Sequence, residues 1–598
     1  MYYCRISVEK SPIFLTFPTL CDKINPKAEK TLSDNRKNGR LDMKDFLKPY
    51  GAVPNAVQMA HLKMEKKAFF HFGINTFTNA EWGDGTETER DFNPVGCDPR
   101  QWVRAIKAAG FTLALITAKH HDGFCLWQSD VTEHSMKNSP YKDGKGDVVK
   151  EFADACREYG IKVGIYASPW DRNAPFWGTD KYSPFFARQL EELMTRYGKI
   201  DEVWWDGAGS RDTPYDWEMW ASVVKKNQPE AAIFGSQGAT PYVDLRWVGN
   251  EGGFAGSPCF ATIDPHALEV EHTPTLNSGT PDGERFIPAE VDVSIRPGWF
   301  FHEEQEDEVK SVASLVRLWF DSVGSNANML LNFPPDKTGH IRDKDTRHAI
   351  EAHKIVSAAL AVNHALGAKI VSDADCQDGY PAENLITPGD NFTAPKKTNV
   401  SYTITLPEKK RINMFVIEEA IEFGHRVRGF KVEALADGEW KTLFDGKCIG
   451  YKWSEMTEEV TTDTVRVTVT DSKDVPLLRS FGLHTLDLSV FDEEKRLRSG
   501  KNLAAGKSAK INYSEFEVEV EFGGVYPFNT VAFNSNGMWK YEIWAFDGSN
   551  YQLIYTGVKP HRNQITKLKE TVRTSYKMKL VTTAPIDPET INICVMEN

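Results

Sequence analysis

The chain has no apolar run of about eighteen residues, the length a helix needs to cross a bilayer, so nothing in it reads as a transmembrane helix. It also lacks a Cys-x-x-Cys pair. Its nine cysteines (4, 21, 97, 125, 156, 259, 376, 448 and 594) are odd in number and scattered, which argues against a disulfide framework or a zinc site and reads as buried thiols. No long block of consecutive basic residues occurs and the formal net charge is -13, so the positive field that a nucleic acid or an anionic membrane requires is missing. An uncharged ligand fits that balance.

What is present is core-forming material. The chain is 41% hydrophobic and 26% charged over 598 residues, enough for two to four domains with sizeable cores. Sixteen Trp, with aromatics at 12%, form a high load. Exposed indoles commonly meet the flat apolar faces of sugars, although most of these rings are expected to fill cores. Residues 12–21 hold a short apolar patch broken by Pro18, weak as a signal-peptide core, and 22–46 are polar; residues 1–47 therefore read as a mobile leader.

From residue 48 to 363 apolar strand-type runs alternate with amphipathic helical runs, the pattern of a parallel α/β domain. Eight strand candidates (68–77, 113–121, 162–170, 200–208, 231–237, 244–251, 291–295 and 326–333) match the number that closes a (β/α)8 barrel. Helical spacing appears at 98–109, 147–159, 182–197, 216–227 and 303–322, and again at 345–362. The barrel is expected to be imperfect, because the fifth and sixth strands are joined by too few residues for a helix. Residues 252–290 form a long Gly/Pro/Thr-rich excursion of the kind that builds or covers a site. Beyond it, Thr/Val/Ile-rich alternating segments broken by Asp, Gly and Pro predict two β-sandwiches, 364–497 and 498–598, serving either glycan binding or packing support. Trp539, Trp544 and Tyr551 form a possible sugar platform there, or serve as core and interface aromatics.

The chemistry-bearing residues fall at strand ends. The run 200–208 ends in Asp206-Gly207-Ala208, where a rigid carboxylate either reaches a substrate at the rim or caps the next turn. Trp204 shares its strand face, two residues before. The first strand ends at His71, with Glu81-Trp82 following; the second ends in His120-His121, with Trp127 beyond; Tyr166 lies near the end of the third. Two adjacent histidines are a weak metal signal, since the next is His134 and no second cluster follows, and they suit hydrogen bonding to hydroxyls. The sixth strand runs into Glu251-Gly252-Gly253, a second rim carboxylate. Two such groups suggest glycoside hydrolysis, with a gap of roughly 5 Å for retention and roughly 6.5 Å or more for inversion.

In combination, the motifs His71-Phe-Gly-Ile-Asn-Thr-Phe77, Glu81-Trp-Gly83, Lys119-His-His-Asp-Gly-Phe124, Ser168-Pro-Trp-Asp-Arg-Asn173, Val203-Trp-Trp-Asp-Gly-Ala208 and Asn328-Met-Leu-Leu-Asn-Phe333 resemble the α-L-fucosidases of glycoside hydrolase family 29. The resemblance runs from about residue 50 to 333. It implies an exo-acting, retaining hydrolase with a fucosyl-Asp intermediate and no metal or cofactor, secreted or periplasmic, acting on fucosylated oligosaccharides or glycoconjugates. It implies Asp206 as nucleophile, Glu251 as acid/base, and His71, Glu81, Trp82, His120, His121, Trp127, Tyr166 and Trp204 as fucose contacts, with Arg296 and Trp299 also lining the site. The stretches 168–173 and 246–251 resemble the branch that prefers α-1,3/1,4-linked fucose in Lewis-type glycans, and the sandwiches resemble discoidin-type carbohydrate-binding modules. Two other readings stay open: a retaining glycosidase of a related sugar, such as an α-L-galactosidase, and a non-catalytic lectin or adhesin.

Overall fold

The computed structural model describes residues 45–598 except 210–212, 236–237, 270–273, 536, 574 and 598. The expected leader over 1–47, with its apolar patch at 12–21, lies outside the described residues apart from Asp45–Leu47, one 3-10 turn. The fold described here runs from Pro49 onward.

Eight parallel strands form the first sheet: β1 (Lys66–Phe70), β2 (Leu113–Lys119), β3 (Lys162–Ala167), β4 (Glu202–Trp204), β5 (Ala232–Phe234), β6 (Arg246–Trp247), β7 (Ala289–Ser294) and β8 (Ala327–Asn332). Their order is β5-β4-β3-β2-β1-β8-β7-β6. A parallel bridge between Phe234 and Leu245 joins the two ends, so the sheet closes into a barrel. Helices Pro99–Ala108, Val148–Tyr159, Tyr182–Arg196, Trp217–Asn227 and Val312–Asp321 pack outside it, and Asp343–Leu360 follows the last strand. Four of them start where a side-chain oxygen of Asp98, Asp147, Asp216 or Ser311 accepts a backbone N–H of the first turn, a cap worth about 1 kcal/mol each.

The helix expected over 303–322 is shorter than its pattern. Residues 303–308 carry five acidic side chains and no apolar stripe, and form only a 3-10 turn at Glu303–Gln305 before Ser311 caps the true helix. Nor do β1 and β4 run as far as the apolar patterns; His71 and Asp206 stand on the loops just beyond them, and Asn75 on a short helix, Ile74–Thr78.

Because side chains alternate along a strand, the barrel interior is filled in layers. The lowest is charged: Lys67, Glu202 and Glu290 meet there, fully buried, with Lys67 Nζ 2.6 Å from Glu202 and bonded to Glu290. A short helix, Ala56–Leu62, started by the Asn55/Gln58 capping box, closes this end; Gln58 donates to the carbonyls of Asp244 and Phe286, and His61 lies 3.6 Å from each carboxylate. Two residues up, Phe69, Leu115, Trp204 and Leu330 make an apolar layer, with Trp204 stacked on Phe234 at 4.0 Å and 5°. Two residues further, the same faces present His71, Asp206, Ser294 and Asn332. The strand phase that buries the aromatics therefore aims the polar groups into the mouth.

On the second strand that phase is reset. A register shift between Thr117 and Lys119 turns Lys119 outward, where it donates to Asp171, Tyr182 and Gln189, and brings His120 to the mouth.

Beyond Leu360 the chain is mainly antiparallel β, with one short α-helix, Asp492–Arg498, among the described residues. In the first module two long strands, Val400–Glu419 and Trp453–Ser472, bend at register shifts and pair with different neighbours at each end. One core forms between the halves: Phe415 packs on Phe430 and Phe444, to which its own segment is not laddered. The second module stacks a four-stranded on a five-stranded sheet. Alternation along Lys540–Phe546 and Glu517–Glu521 sends Tyr541, Ile543, Val518 and Val520 into its core. All seven described cysteines are free thiols. No described helix is long and apolar enough to cross a membrane.

Candidate active site

The site lies at the C-terminal mouth of the barrel, where loops after six strands converge on the end of β8. Asp206 stands two residues past β4 with its side chain 26% exposed. Tyr166 Oη donates to its Oδ2 at 2.9 Å, and the Ala208 N–H donates to Oδ1 at 2.8 Å. Burial raises its pKa, opposed by these donors. Burial together with the Asp206 charge pushes the Tyr166 phenol well up, so Tyr166 stays a donor.

Three histidines line the neighbouring wall. His120 and His121 have ring centroids 4.1 Å apart, and His71 lies 5.8 Å from His120. Burial, then mutual repulsion, holds His71 and His120 well below the usual imidazole range and His121 at about 3, so all three are neutral near pH 7.

Their tautomers follow from the network. Asn332, its amide nitrogen donating to Ser294 Oγ (2.9 Å) and the Trp299 carbonyl (2.8 Å), offers Oδ1 to His71 Nδ1 at 2.9 Å, so His71 carries its proton on Nδ1. Ser168 gives its own proton to the Trp170 carbonyl and accepts from His121 Nδ1 at 2.7 Å. Asn75 Nδ2 donates to His120 Nδ1 at 3.3 Å, which leaves the proton on Nε2. The wall thus offers Nε2 acceptors from His71 and His121 and one Nε2–H donor from His120, a pattern suited to hydroxyl groups.

Opposite, the loop after β7 carries Trp299, whose ring lies 4.9 Å from that of His71. Glu81 holds this loop by accepting from the backbone N–H of Trp299 (2.8 Å) and Phe300 (3.1 Å) and from His302 Nε2 (2.7 Å). Burial raises the Glu81 pKa, but His302, the Lys559 charge and the Trp299 N–H outweigh it, and the net shift is downward. Trp299 Nε1 donates to Glu251 Oε2 at 2.7 Å. Glu251 is raised, chiefly by burial, against Lys559 and Trp299, with the Asp206 charge adding to the rise. Both carboxylates thus feel one pocket. Trp82, 52% exposed, stands at the rim, edge-on to His121 (5.6 Å) and Trp170 (5.6 Å).

Trp204 forms the floor, with its Nε1–H turned down to Glu290 at 2.9 Å. Glu290, a carboxylate on the wrong layer to reach the mouth, is committed to that bond and to Lys67.

Two expected contacts are corrected. Trp127 is fully buried among the helices, and its Nε1–H donates to Glu192 of helix Tyr182–Arg196 at 2.8 Å. The chain doubles back after His121 at Gly123 (φ 84°), so that Leu126 N–H bonds the Ala118 carbonyl and Trp127 falls on the outer side of the sheet. Arg296 is likewise turned away from the mouth: it makes a bidentate pair with Asp345 (2.9 and 2.8 Å) and donates to the Gln305 carbonyl at 2.7 Å, tying the Trp299 loop to helix Asp343–Leu360. Asn75, Ser168, Trp170 and Asn332 were missed, each lying within a quoted motif but with no chemistry of its own to flag it.

Among the described residues, His61, Glu202 and Glu290 are the one cluster compact enough for a cation, with ligating atoms within 4.8 Å. The Lys67 ammonium stands among them and takes that place.

Residues 53–352 match the family model described as alpha-L-fucosidase. The chain is 35% identical over 458 residues to alpha-L-fucosidase 1 of Arabidopsis thaliana, covering 73% of this chain and 89% of that protein. Among solved structures it is similar to a putative alpha-L-fucosidase from Bacteroides thetaiotaomicron (TM-score 0.72, 42% identity, 74% of this chain and 99% of that one). It is also similar to a Ruminococcus gnavus family 29 fucosidase in complex with fucose (TM-score 0.69, 30% identity, 74% and 97%).

Proposed function

The chain belongs to the α-L-fucosidases of glycoside hydrolase family 29, enzymes that hydrolyse fucose from fucosylated substrates, and from that premise we propose that it does so with retention, through a fucosyl ester on Asp206. The observation that carries this reading is that Asp206 and Glu251 stand at one barrel mouth, each held by its own donors. Asp206 is short, held by Tyr166 and a backbone N–H, and partly open to solvent; Glu251 is longer, accepts the Trp299 indole N–H, and has a raised pKa that suits a proton donor.

In the first step an Asp206 carboxylate oxygen bonds to C1 of the fucose while the glycosidic C–O bond breaks, and its electron pair leaves with the departing oxygen, which takes the Glu251 proton. In the second, the Glu251 carboxylate removes a proton from water, the resulting hydroxide oxygen bonds to C1, and the ester C–O bond breaks to restore Asp206. The three neutral histidines fit the fucose hydroxyls, and His71, Tyr166, Trp204, Trp82 and Trp299 supply flat surface for the sugar. The bound fucose of the Ruminococcus gnavus relative supports that choice of sugar.

We further assign the enzyme to α-1,3/1,4-linked fucose of Lewis-type glycans, a reading supported by the likeness of 168–173 and 246–251 to that branch. The test is fucose release from a Lewis-type trisaccharide, an α-1,2-linked fucoside and an aryl α-L-fucoside by wild type and Asp206→Ala. Release from the branched glycan and not from the α-1,2 fucoside, abolished in the variant, is expected. Equal release from both removes the linkage assignment, and full activity in the variant removes Asp206.

A further inference from the structure

The last β-sandwich reaches into the barrel mouth. Its strand Tyr551–Val558 ends at Lys559, a non-glycine residue at φ 49° whose N–H is held by the Trp539 carbonyl at 2.7 Å. The Lys559 side chain is 6% exposed, and its Nζ lies 2.8 Å from Glu251 Oε2, the oxygen that also accepts the Trp299 Nε1–H. The ammonium stands 4.4 Å from the centre of the Trp299 ring and 4.9 Å from that of Trp539, so two indoles flank it while a carboxylate binds it. A long cation in a left-handed backbone position, buried against another module, is not a surface residue that happens to fall near a carboxylate.

Its neighbours fasten the same contact. Pro560 O lies where a side chain on Gly252 would stand, 2.5 Å from an added Cβ, so the loop carrying Glu251 needs glycine at that point. Arg562 donates to the Ala255 carbonyl, stacks on Phe254 at 5.3 Å and lies 3.3 Å from Asp321. The turn 559–562 therefore clamps the segment 251–255.

We propose that this sandwich is part of the catalytic unit, with Lys559 the positioning residue that aims Glu251 and stabilises the carboxylate formed when Glu251 gives up its proton. The proposal rests on Glu251 being the acid/base. The groups facing Glu251 are Asp206 beyond β4, Asp292 on β7, Trp299 on the following loop and Lys559 from the sandwich; Lys310 and Glu81 in turn face Lys559. Lys559 is the cation against the Glu251 carboxylate, opposing burial and the charge of Asp206. Without it Glu251 holds its proton to higher pH and is a weaker acid towards a poor leaving group.

The experiment compares wild type, Lys559→Met, Lys559→Arg and Glu251→Ala, each checked for folding by thermal unfolding, on a Lewis-type glycan and an aryl α-L-fucoside. For K559M the basic limb of the kcat/KM profile moves to higher pH. Turnover of the glycan falls about tenfold, the worth of one charge-assisted hydrogen bond, with a smaller loss on the aryl substrate, and K559R restores the profile. If K559M does not fold, Lys559→Gln, uncharged but still a donor, is read in the same way. An unmoved basic limb and glycan turnover within twofold of wild type in the folded neutral variant overturn the proposal. Full glycan turnover by E251A overturns the acid/base reading beneath it; loss of glycan turnover in E251A beside a wild-type-like K559M overturns the role of Lys559 alone.

Discussion

Tyr166 Oη donates to Asp206 Oδ2 at 2.9 Å, and the tyrosine ring stacks on both His120 (5.7 Å, 14°) and Trp204 (5.5 Å, 23°). The nucleophile of the proposed mechanism is thus oriented by a ring locked between the histidine wall and the floor. Tyr166→Phe keeps the stack and removes the donor. A hydrogen bond to a charged group is worth about 1.5–3 kcal/mol, so kcat/KM should fall by about tenfold to a hundredfold. Because the lost donor favoured the carboxylate, Asp206 titrates higher and the acid limb of the pH profile moves up. An unchanged acid limb would dissociate Tyr166 from Asp206.

His121 gives a stability prediction whose sign is fixed by its shift. Its folded-state pKa of about 3 is below the ordinary 6.5, so the unfolded chain binds the proton first as pH falls. The stability it contributes is present above pH 6.5 and lost between about 6.5 and 3. Compared with His121→Gln, wild type should lose its relative stability across that window, as followed by denaturant unfolding at successive pH values. A difference independent of pH would mean that His121 titrates alike in the folded and the unfolded chain.

Trp127 separates packing from binding. Trp127→Phe leaves Glu192 without the indole donor, although Ser129 and the Asp130 N–H still serve that carboxylate. We expect a stability loss of about 1–3 kcal/mol in chemical denaturation and an unchanged KM for an aryl fucoside. A raised KM with unchanged stability would return Trp127 to the site.

The eight strands were legible as apolar runs because a barrel strand is buried on both faces, and the burial patterns of β2, β7 and β8 are continuous. Asp206 and His71 were legible because an uninterrupted strand carries its phase beyond its end. Trp127 and Arg296 were misread for the opposite reason: distance along the chain stops reporting on direction once it reverses at Gly123 or leaves β7 for a loop. Lys559 stands 308 residues after Glu251 (559 minus 251), on a turn with no motif, and only the docking of two modules brings them together. Trp539, grouped by sequence with Trp544 and Tyr551, has its ring 4.9 Å from the Lys559 ammonium, while the Tyr551 hydroxyl donates to Glu519.

The charged layer under the floor gives a further prediction. Lys67→Met leaves Glu202 and Glu290 buried without their cation, and breaking such a pair costs about 3–5 kcal/mol. Trp204, bonded to Glu290, should loosen with it, so KM for fucosides rises alongside the drop in stability. A variant as stable as wild type would show that the two carboxylates are already neutral in the folded protein.

The central claim, a covalent fucosyl ester on Asp206, is tested most directly by trapping. Incubation with a 2-deoxy-2-fluoro-α-L-fucosyl donor carrying an activated leaving group slows both steps but the second more, so the ester accumulates. Peptide mass analysis should then find the fluorofucosyl adduct on the peptide containing Asp206, with none formed in Asp206→Ala. An adduct on another carboxylate, or turnover without any adduct and with inverted product, would contradict the account.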